Sequence, residues 1–456
     1  MDIEELSQRY AGKFLLRSEI PLEPSLFERL LTDHFFTVKP SIRKTWLHYE
    51  CQRCGNRKRS LFGHIPAQRS LPAQVYCRKC IEMGRVIDRS PLYEWTGPDY
   101  EWPLYSNPCT WDGALTAVQE DAAQRIVQAI RNHEQELLTW AVCGAGKTEM
   151  LYPGITESLK QGKRICIATP RADVVRELLP RLRSAFSGVT CQGLYGGSPE
   201  KEGSAQMMVA TTHQLLRYKH AFDVMIIDEV DAFPYTHDPT LAFAAHRARR
   251  EKGTLIYLTA TPAADDQVRM SLGKLPHVFV PKRFHNHPLP VPILRMIPRL
   301  KKDLAEARLP ESFIKWLMNR KNRERQVLIF VNSIKLAEVL TNRLAANLVQ
   351  STIKAVHASD ANREENVQQF RDKRLDILVT TTILERGVTF PSIDVAILDA
   401  GSAVFGEQAL VQIAGRAGRS PHDPTGEVVF FHDGKTDAMI EAVKAIQKMN
   451  KRGGFL

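Results

Sequence analysis

The octapeptide Ala141-Val-Cys-Gly144-Ala-Gly146-Lys147-Thr148 carries the groups needed to hold a polyphosphate. Its glycines let successive backbone N–H groups turn inward around a β-phosphate. The Lys147 ammonium can then reach the β- and γ-phosphates, and the Thr148 hydroxyl can ligate Mg²⁺. The helical stretch that follows points its positive end at the same anion. Asp228-Glu229-Val230-Asp231 lies 81 residues after Lys147 and directly follows the apolar run Val224-Met-Ile-Ile227. Its first carboxylate is therefore expected at the end of a buried strand, where open α/β sheets bind ligands. Asp228 would hold Mg²⁺ through water, and Glu229 would orient and deprotonate the attacking water. The two segments together predict ATP hydrolysis.

A second chemistry is written in Cys51-Gln-Arg-Cys54-Gly55 and Cys77-Arg-Lys-Cys80, two pairs separated by 22 residues. Each C-x-x-C offers two thiolates from one turn, and two such knuckles close a tetrahedral structural Zn²⁺ site with no position left for a reacting water. Between Lys39 and Arg89 there are twelve Lys or Arg against three acids, with Trp46, Tyr49, Phe62 and Tyr76 interleaved. Cations track phosphates and aromatic faces stack bases, so this module is expected to grip single-stranded nucleic acid. The remaining cysteines, Cys109, Cys143, Cys166 and Cys191, are read as packing residues.

These residues need a scaffold, and the pattern of the chain supplies one. The 456 residues are 43% hydrophobic and 25% charged, with net charge +11, the profile of a globular protein with a polyanionic partner. No leader and no membrane span are expected, which points to a cytoplasmic chain whose cysteines stay reduced. From Leu115 on, short β-branched runs alternate with helical patterns, predicting an α/β fold with two tandem parallel-sheet lobes. The expected division is a basic N-terminal region over 1–108, with its zinc module at about 45–90. A first lobe follows over 109–283, then a Pro- and His-rich linker over 284–300 and a second lobe over 301–456.

The strings in these lobes resemble superfamily 2 helicases, whose lobes are RecA-like. Ala141 as the first residue of the phosphate loop is common in that superfamily. Leu115-Thr116-Ala-Val-Gln119 looks like its adenine-reading glutamine motif, and Thr259-Ala-Thr261-Pro262 like motif III. Thr169-Pro170-Arg171 and Ala210-Thr211-Thr212 fall where the family places nucleic-acid backbone contacts. Val331-Asn332-Ser333 resembles motif IV and Thr381-Thr-Ile-Leu-Glu385-Arg386-Gly387 motif V, while Gln412-Ile-Ala-Gly415-Arg416-Ala-Gly418-Arg419 matches motif VI. The resemblance implies that Gln412 contacts the nucleotide and that Arg416 and Arg419 face the γ-phosphate. Three apart on a helix, those arginines would share a face. Thr389-Phe390 departs from the pattern, because an Asp is common there.

Tyr76-Cys-Arg-Lys-Cys-Ile81, Asp228-Glu-Val-Asp-Ala-Phe-Pro-Tyr235 and Arg283-Phe-His-Asn-His-Pro-Leu-Pro290 resemble the ComFA family of bacterial competence. That resemblance implies an ATPase stimulated by single-stranded DNA that draws transforming DNA through the membrane. ATP, Mg²⁺ and Zn²⁺ are its implied cofactors. A ComFC-like competence protein and a ComEC-like channel at the inner membrane face are its implied partners. Oligomeric state is left open, a homo-oligomer included. Two other readings stay open here: a PriA-type restart helicase, and an ATP-gated clamp that does not translocate.

Overall fold

The computed structural model describes residues 2–46, 48–67 and 72–455. Arg69, one of the basic residues counted above, lies outside them. The chain divides into two compact units, Met1–Trp140 with Lys147–Phe279, and Ala141–Gly146 with Val280–Leu456.

The first unit holds a seven-stranded sheet. Its strand order is Cys191–Leu194, Met207–Thr211, Ile165–Thr169, Phe222–Ile227, Arg249–Thr259, Glu136–Ala141 and His277–Val280. The strands run parallel from Cys191–Leu194 across to Glu136–Ala141. Ile165–Thr169 and Met207–Thr211 are buried at every residue, as strands covered by helices on both faces must be. Register aligns their carboxyl ends: Thr169 faces Thr211, Ile227 faces Tyr257, and Thr259 faces Trp140. One sheet edge therefore displays the loops after Ala141, Thr169, Thr211, Ile227 and Thr259.

The N-terminal region forms small antiparallel sheets: Phe14–Leu16 and Phe36–Lys39 flanking Leu92–Trp95, the hairpin of Ile42–Lys44 with Tyr49–Cys51, and Phe62–Ile65, Gln74–Cys77 and Val86–Ile87. It does not stand apart from the lobe. Phe14, Ile42, the four cysteines of the knuckles, Ile227, Ala244 and Ala248 belong to one apolar core. The buried Arg164 guanidinium adds polar ties, donating to the carbonyls of Ala11, Gly203 and Ala205.

The second unit carries a six-stranded parallel sheet in the order Ile293–Met296, Val428–His432, Ile393–Leu398, Gln326–Phe330, Ile377–Thr380 and Ile353–Val356. Ile293–Met296 falls inside the stretch expected to be a linker. Its prolines Pro288, Pro290 and Pro292 hide the strand in sequence, yet a strand with one unpaired side sits comfortably at a sheet edge. Among the described residues, no helix is long and apolar enough to cross a membrane.

Candidate nucleotide site and metal knuckles

The phosphate loop leaves the strand Glu136–Ala141 and enters the helix Lys147–Lys160. Gly144 and Gly146 have φ of +80° and +74°, backbone that side-chain-bearing residues rarely adopt. Lys147 opens the helix, and Thr148 lines a small cavity with Asp228, Ile167 and Leu258. Asp228 stands at the end of its strand and donates its N–H to the Ala168 carbonyl at 2.8 Å. Burial and the neighbouring Glu229 carboxylate push Asp228 up to about 6, with Lys147 opposing the shift. Glu229 has φ +56° and gives its N–H to Asp228 Oδ1 at 2.9 Å. Its Oε2 is buried with no hydrogen-bond partner. A buried acceptor without a donor is costly. A proton-losing water and a cation beside Asp228 are the partners this arrangement fits, so the donor set suits Mg²⁺ and a hydrolytic water. Asp231 Oδ2 accepts the Thr261 hydroxyl at 2.5 Å.

Gln119 sits in the first turn of the helix Ala117–Arg131, where its amide oxygen accepts from the Thr116 N–H at 2.8 Å and hydroxyl at 3.0 Å. A capping box thus uses the oxygen of the residue expected to read adenine. Pro170 and Arg171 follow Thr169, and Arg171 precedes the helix Ala172–Ala185. They and Thr211 share the carboxyl edge of the sheet with Asp228. In the second unit, Asn332 donates to Asp399 Oδ2 at 2.9 Å, and Thr381 follows the strand Ile377–Thr380. Both occupy the corresponding edge of that sheet.

The arginines of the Gln412–Arg419 string are not on a helix. The helix Glu407–Ala414 stops before Gly415, and Gly418 adopts φ +63°, so Arg416 and Arg419 occupy the glycine-rich turn beyond it. Arg416 is 1% exposed and donates to the Glu385 carbonyl at 2.9 Å. Arg419 donates to the Gly415 carbonyl at 3.0 Å and lies 3.4 Å from the Thr389 hydroxyl. Thr389 thus meets an arginine, while Phe390 is buried edge-on against Phe370. Gln412 Oε1 accepts the Cys143 thiol at 3.1 Å within the same unit.

Sequence reasoning missed a role for Arg283, expected as the last residue of the first lobe. It is 2% exposed and donates to the carbonyls of Gly415, Ala417 and Gly418 at 3.2, 2.9 and 2.5 Å. It holds the turn that carries Arg416 and Arg419. No periodicity marks such a residue.

The knuckle cysteines are all fully buried, and their sulfurs lie within 4.8 Å of one another. Cys51 and Cys80 are 3.7 Å apart and Cys54 and Cys77 3.6 Å. Disulfides need about 2 Å. Metal–sulfur bonds of about 2.3 Å in a tetrahedron give sulfur separations near ~3.8 Å. Mutual hydrogen bonding holds the Cys77 thiol far below the ordinary range and drives Cys54 and Cys80 far above it. Four sulfurs this close could hold one cation, and the set is compatible with zinc.

On the same module Trp46 is 91% exposed at the hairpin tip, with Arg43, Lys44, Arg57, Lys58 and Arg59 also exposed. Phe62, expected among the base-stacking aromatics, is instead core, with Tyr49 tilted on its ring. Cys143, Cys166 and Cys191 are buried as packing residues, and Cys109 is half-buried.

Residues 2–94 match the family model for the competence protein ComFA N-terminal domain. Residues 112–264 match that for the type III restriction enzyme res subunit, and 309–421 that for the helicase conserved C-terminal domain. Competence protein ComFA of Bacillus subtilis (strain 168) is 45% identical over 448 residues, 98% of this chain and 96% of that protein. Its counterpart from Streptococcus pneumoniae is 37% identical over 98% of this chain and 99% of that one. Among solved structures, S. cerevisiae Dbp5 bound to RNA and ADP BeF3 superposes with TM-score 0.57 at 20% identity, over 75% of this chain and 88% of that chain. The Mycobacterium smegmatis helicase Lhr bound to ssDNA and AMP-PNP gives 0.54 at 20% identity, over 75% and 50%. At such identity these two speak for the fold: paired RecA-like lobes.

Proposed function

The chain belongs to the ComFA family and is a competence-related, helicase-like ATPase, and from that premise we propose that it translocates on single-stranded DNA to draw transforming DNA across the membrane. The observation that carries the reading is the sheet edge on which Lys147, Thr148, Asp228 and the orphaned Glu229 carboxylate meet the strand ends at Thr169 and Thr211. Groups for ATP hydrolysis and for holding a phosphate backbone thus share one rigid edge.

In this reading Lys147 meets the β- and γ-phosphates, while Gly144, Gly146, Gln119 and Gln412 help seat the nucleotide. Thr148 and Asp228 hold Mg²⁺, which offsets phosphate charge. Glu229 takes the proton of the attacking water. Arg416 and Arg419 present guanidiniums to the γ-phosphate. Pro170, Arg171, Thr211, Asn332 and Thr381 contact the DNA backbone, because a motor must not read sequence. Each lobe alternately tightens and releases its hold as ATP turns over. The knuckles hold zinc, and the basic face around Trp46 stacks and tracks the strand. The chain would work at the cytoplasmic face of the membrane with a ComEC-like channel and a ComFC-like protein. A PriA-type assignment loses its footing in the full-length ComFA kinship.

Displacement of streptavidin from biotinylated single strands tests translocation. ATP-dependent displacement that Glu229→Gln abolishes is expected. ATP-dependent binding and release without displacement would identify a clamp instead.

A further inference from the structure

The two knuckles grip one helix at its two ends, and that helix joins the segments that handle hydrolysis. The chain runs from Asp231 through a turn into the helix Pro239–Ala248, then directly into the strand Arg249–Thr259 and the Thr261 turn. The Asp231–Thr261 hydrogen bond closes this loop of chain.

At the start of the helix, Asp238 caps it by accepting the Thr240 N–H at 3.0 Å and hydroxyl at 2.7 Å through Oδ1. Its other oxygen, Oδ2, receives the ammonium of Lys79 at 2.7 Å. Lys79 lies between the cysteines of the second knuckle. At the other end, Arg247 donates to the carbonyls of Gln52 and Arg53, between the cysteines of the first knuckle. Its remaining nitrogens hold the Leu216 carbonyl at 2.7 Å and the Tyr218 carbonyl at 3.0 Å. The middle is pressed as well. Gly55, the residue after Cys54, has φ +71°, and a Cβ there would come within 2.8 Å of the Phe243 ring. One face of the helix, Ala244, Ala245 and Ala248, shares the core with all four cysteines.

We propose that the closed knuckle pair is a positioning clamp for ATP hydrolysis: Lys79 and the Gln52–Arg53 carbonyls, through Asp238 and Arg247, fix the Pro239–Ala248 helix, and with it the spacing of the Asp228–Asp231 and Thr259–Thr261 segments. The four cysteines set the separation of the knuckles, so the metal that fits them sets the clamp. Lys79 is a positioning residue, since it acts through Asp238. The inference rests on the ATPase reading of Asp228 and Glu229.

The test compares full-length wild type, Lys79→Ala, Lys79→Arg and Asp238→Asn for kcat and KM of ATP, metal content, and hydrogen–deuterium exchange. Lys79 is one-third exposed, so its truncation leaves the core intact, and Asn caps a helix as well as Asp does. Residues that couple two sites without touching either ligand typically change the coupling several-fold. Lys79→Ala and Asp238→Asn are each expected to lower kcat about five-fold, with KM within about two-fold of wild type. Metal content should stay unchanged, Lys79→Arg should restore turnover, and combining Lys79→Ala with Asp238→Asn should add no further loss. Exchange at the Pro239–Ala248 amides should quicken in Lys79→Ala and equally when the metal is chelated from wild type. Wild-type kcat in Lys79→Ala, or a loss of kcat that tracks loss of metal, overturns the clamp while the ATPase reading stands. No hydrolysis by wild type in the same assay overturns both.

Discussion

The Thr261 hydroxyl donates to Asp231 Oδ2 at 2.5 Å, joining the last acid of one strand-end segment to the turn after the neighbouring strand. Asp231 is 5% exposed, so this donor has no ready substitute from solvent. Thr261→Ala is expected to cost about 1–3 kcal/mol, the scale of one hydrogen bond to a charged group. Thr261→Ser keeps the hydroxyl and most of the stability. Thermal unfolding reads both, and a wild-type melting temperature in Thr261→Ala would contradict the assignment.

Arg53 makes a stronger case at the base of the first knuckle. Its guanidinium is fully buried, grips Glu19 at 2.7 and 2.9 Å, and donates to the Met83 carbonyl at 2.8 Å. Arg53→Ala leaves Glu19 without this partner and should destabilise by about 3–5 kcal/mol. Arg53→Lys cannot reach Glu19 and the Met83 carbonyl through two fixed nitrogens and should recover little. Denaturant unfolding would expose an error: a loss below about 1 kcal/mol is the scale of a surface pair.

Asp228 gives the pH dependence. Its carboxyl is raised from 3.8 to about 6, so the folded chain holds a proton that the unfolded chain has already released. Without metal, the stability this proton adds is therefore lost as pH rises from the unfolded value through 6. Mg²⁺ works in the opposite sense, because it needs the carboxylate. The rise in melting temperature that Mg²⁺ confers should be present above pH 6 and fade as pH falls through it. Asp228→Asn should show no such fade, and a Mg²⁺ effect undiminished at about pH 5 would remove Asp228 from the metal site.

Much of this was legible in the chain, for identifiable reasons. Runs such as Val224–Ile227 are apolar at every residue because both faces of a parallel sheet are covered, and the chemistry sits where such runs end. The knuckles announce themselves by spacing alone. What escaped was set by tertiary pairing or by local breakers. Lys79 meets Asp238 across 159 residues and Arg247 meets Gln52 across 195, and nothing local marks either. The arginine pair leaves its helix because Gly415 and Gly418 break it, a signal present in the sequence but outweighed by the three-residue spacing. Arg283 showed no role because its partners are carbonyls, which carry no sequence signature.

The basic hairpin predicts how DNA is gripped. Trp46 is 91% exposed, so its removal costs the fold little, whereas base stacking on one aromatic contributes about 1–3 kcal/mol. Trp46→Ala should weaken single-strand affinity accordingly and leave melting temperature and DNA-free hydrolysis unchanged. Arg57→Ala with Arg59→Ala should flatten the salt dependence of binding instead. Titrations of single-stranded DNA at several salt concentrations decide it, and unchanged affinity in Trp46→Ala would move the DNA grip elsewhere.

The central claim is that the strand-end acids hydrolyse ATP in response to a bound single strand. The most direct measurement is phosphate release by the full chain with Mg²⁺, titrating single-stranded DNA, duplex DNA and RNA in parallel, for wild type and Glu229→Gln. The account predicts turnover that rises with single-stranded DNA and falls at least about 100-fold in Glu229→Gln, with ATP still bound. Turnover indifferent to nucleic acid, or a Glu229→Gln variant as fast as wild type, would contradict it.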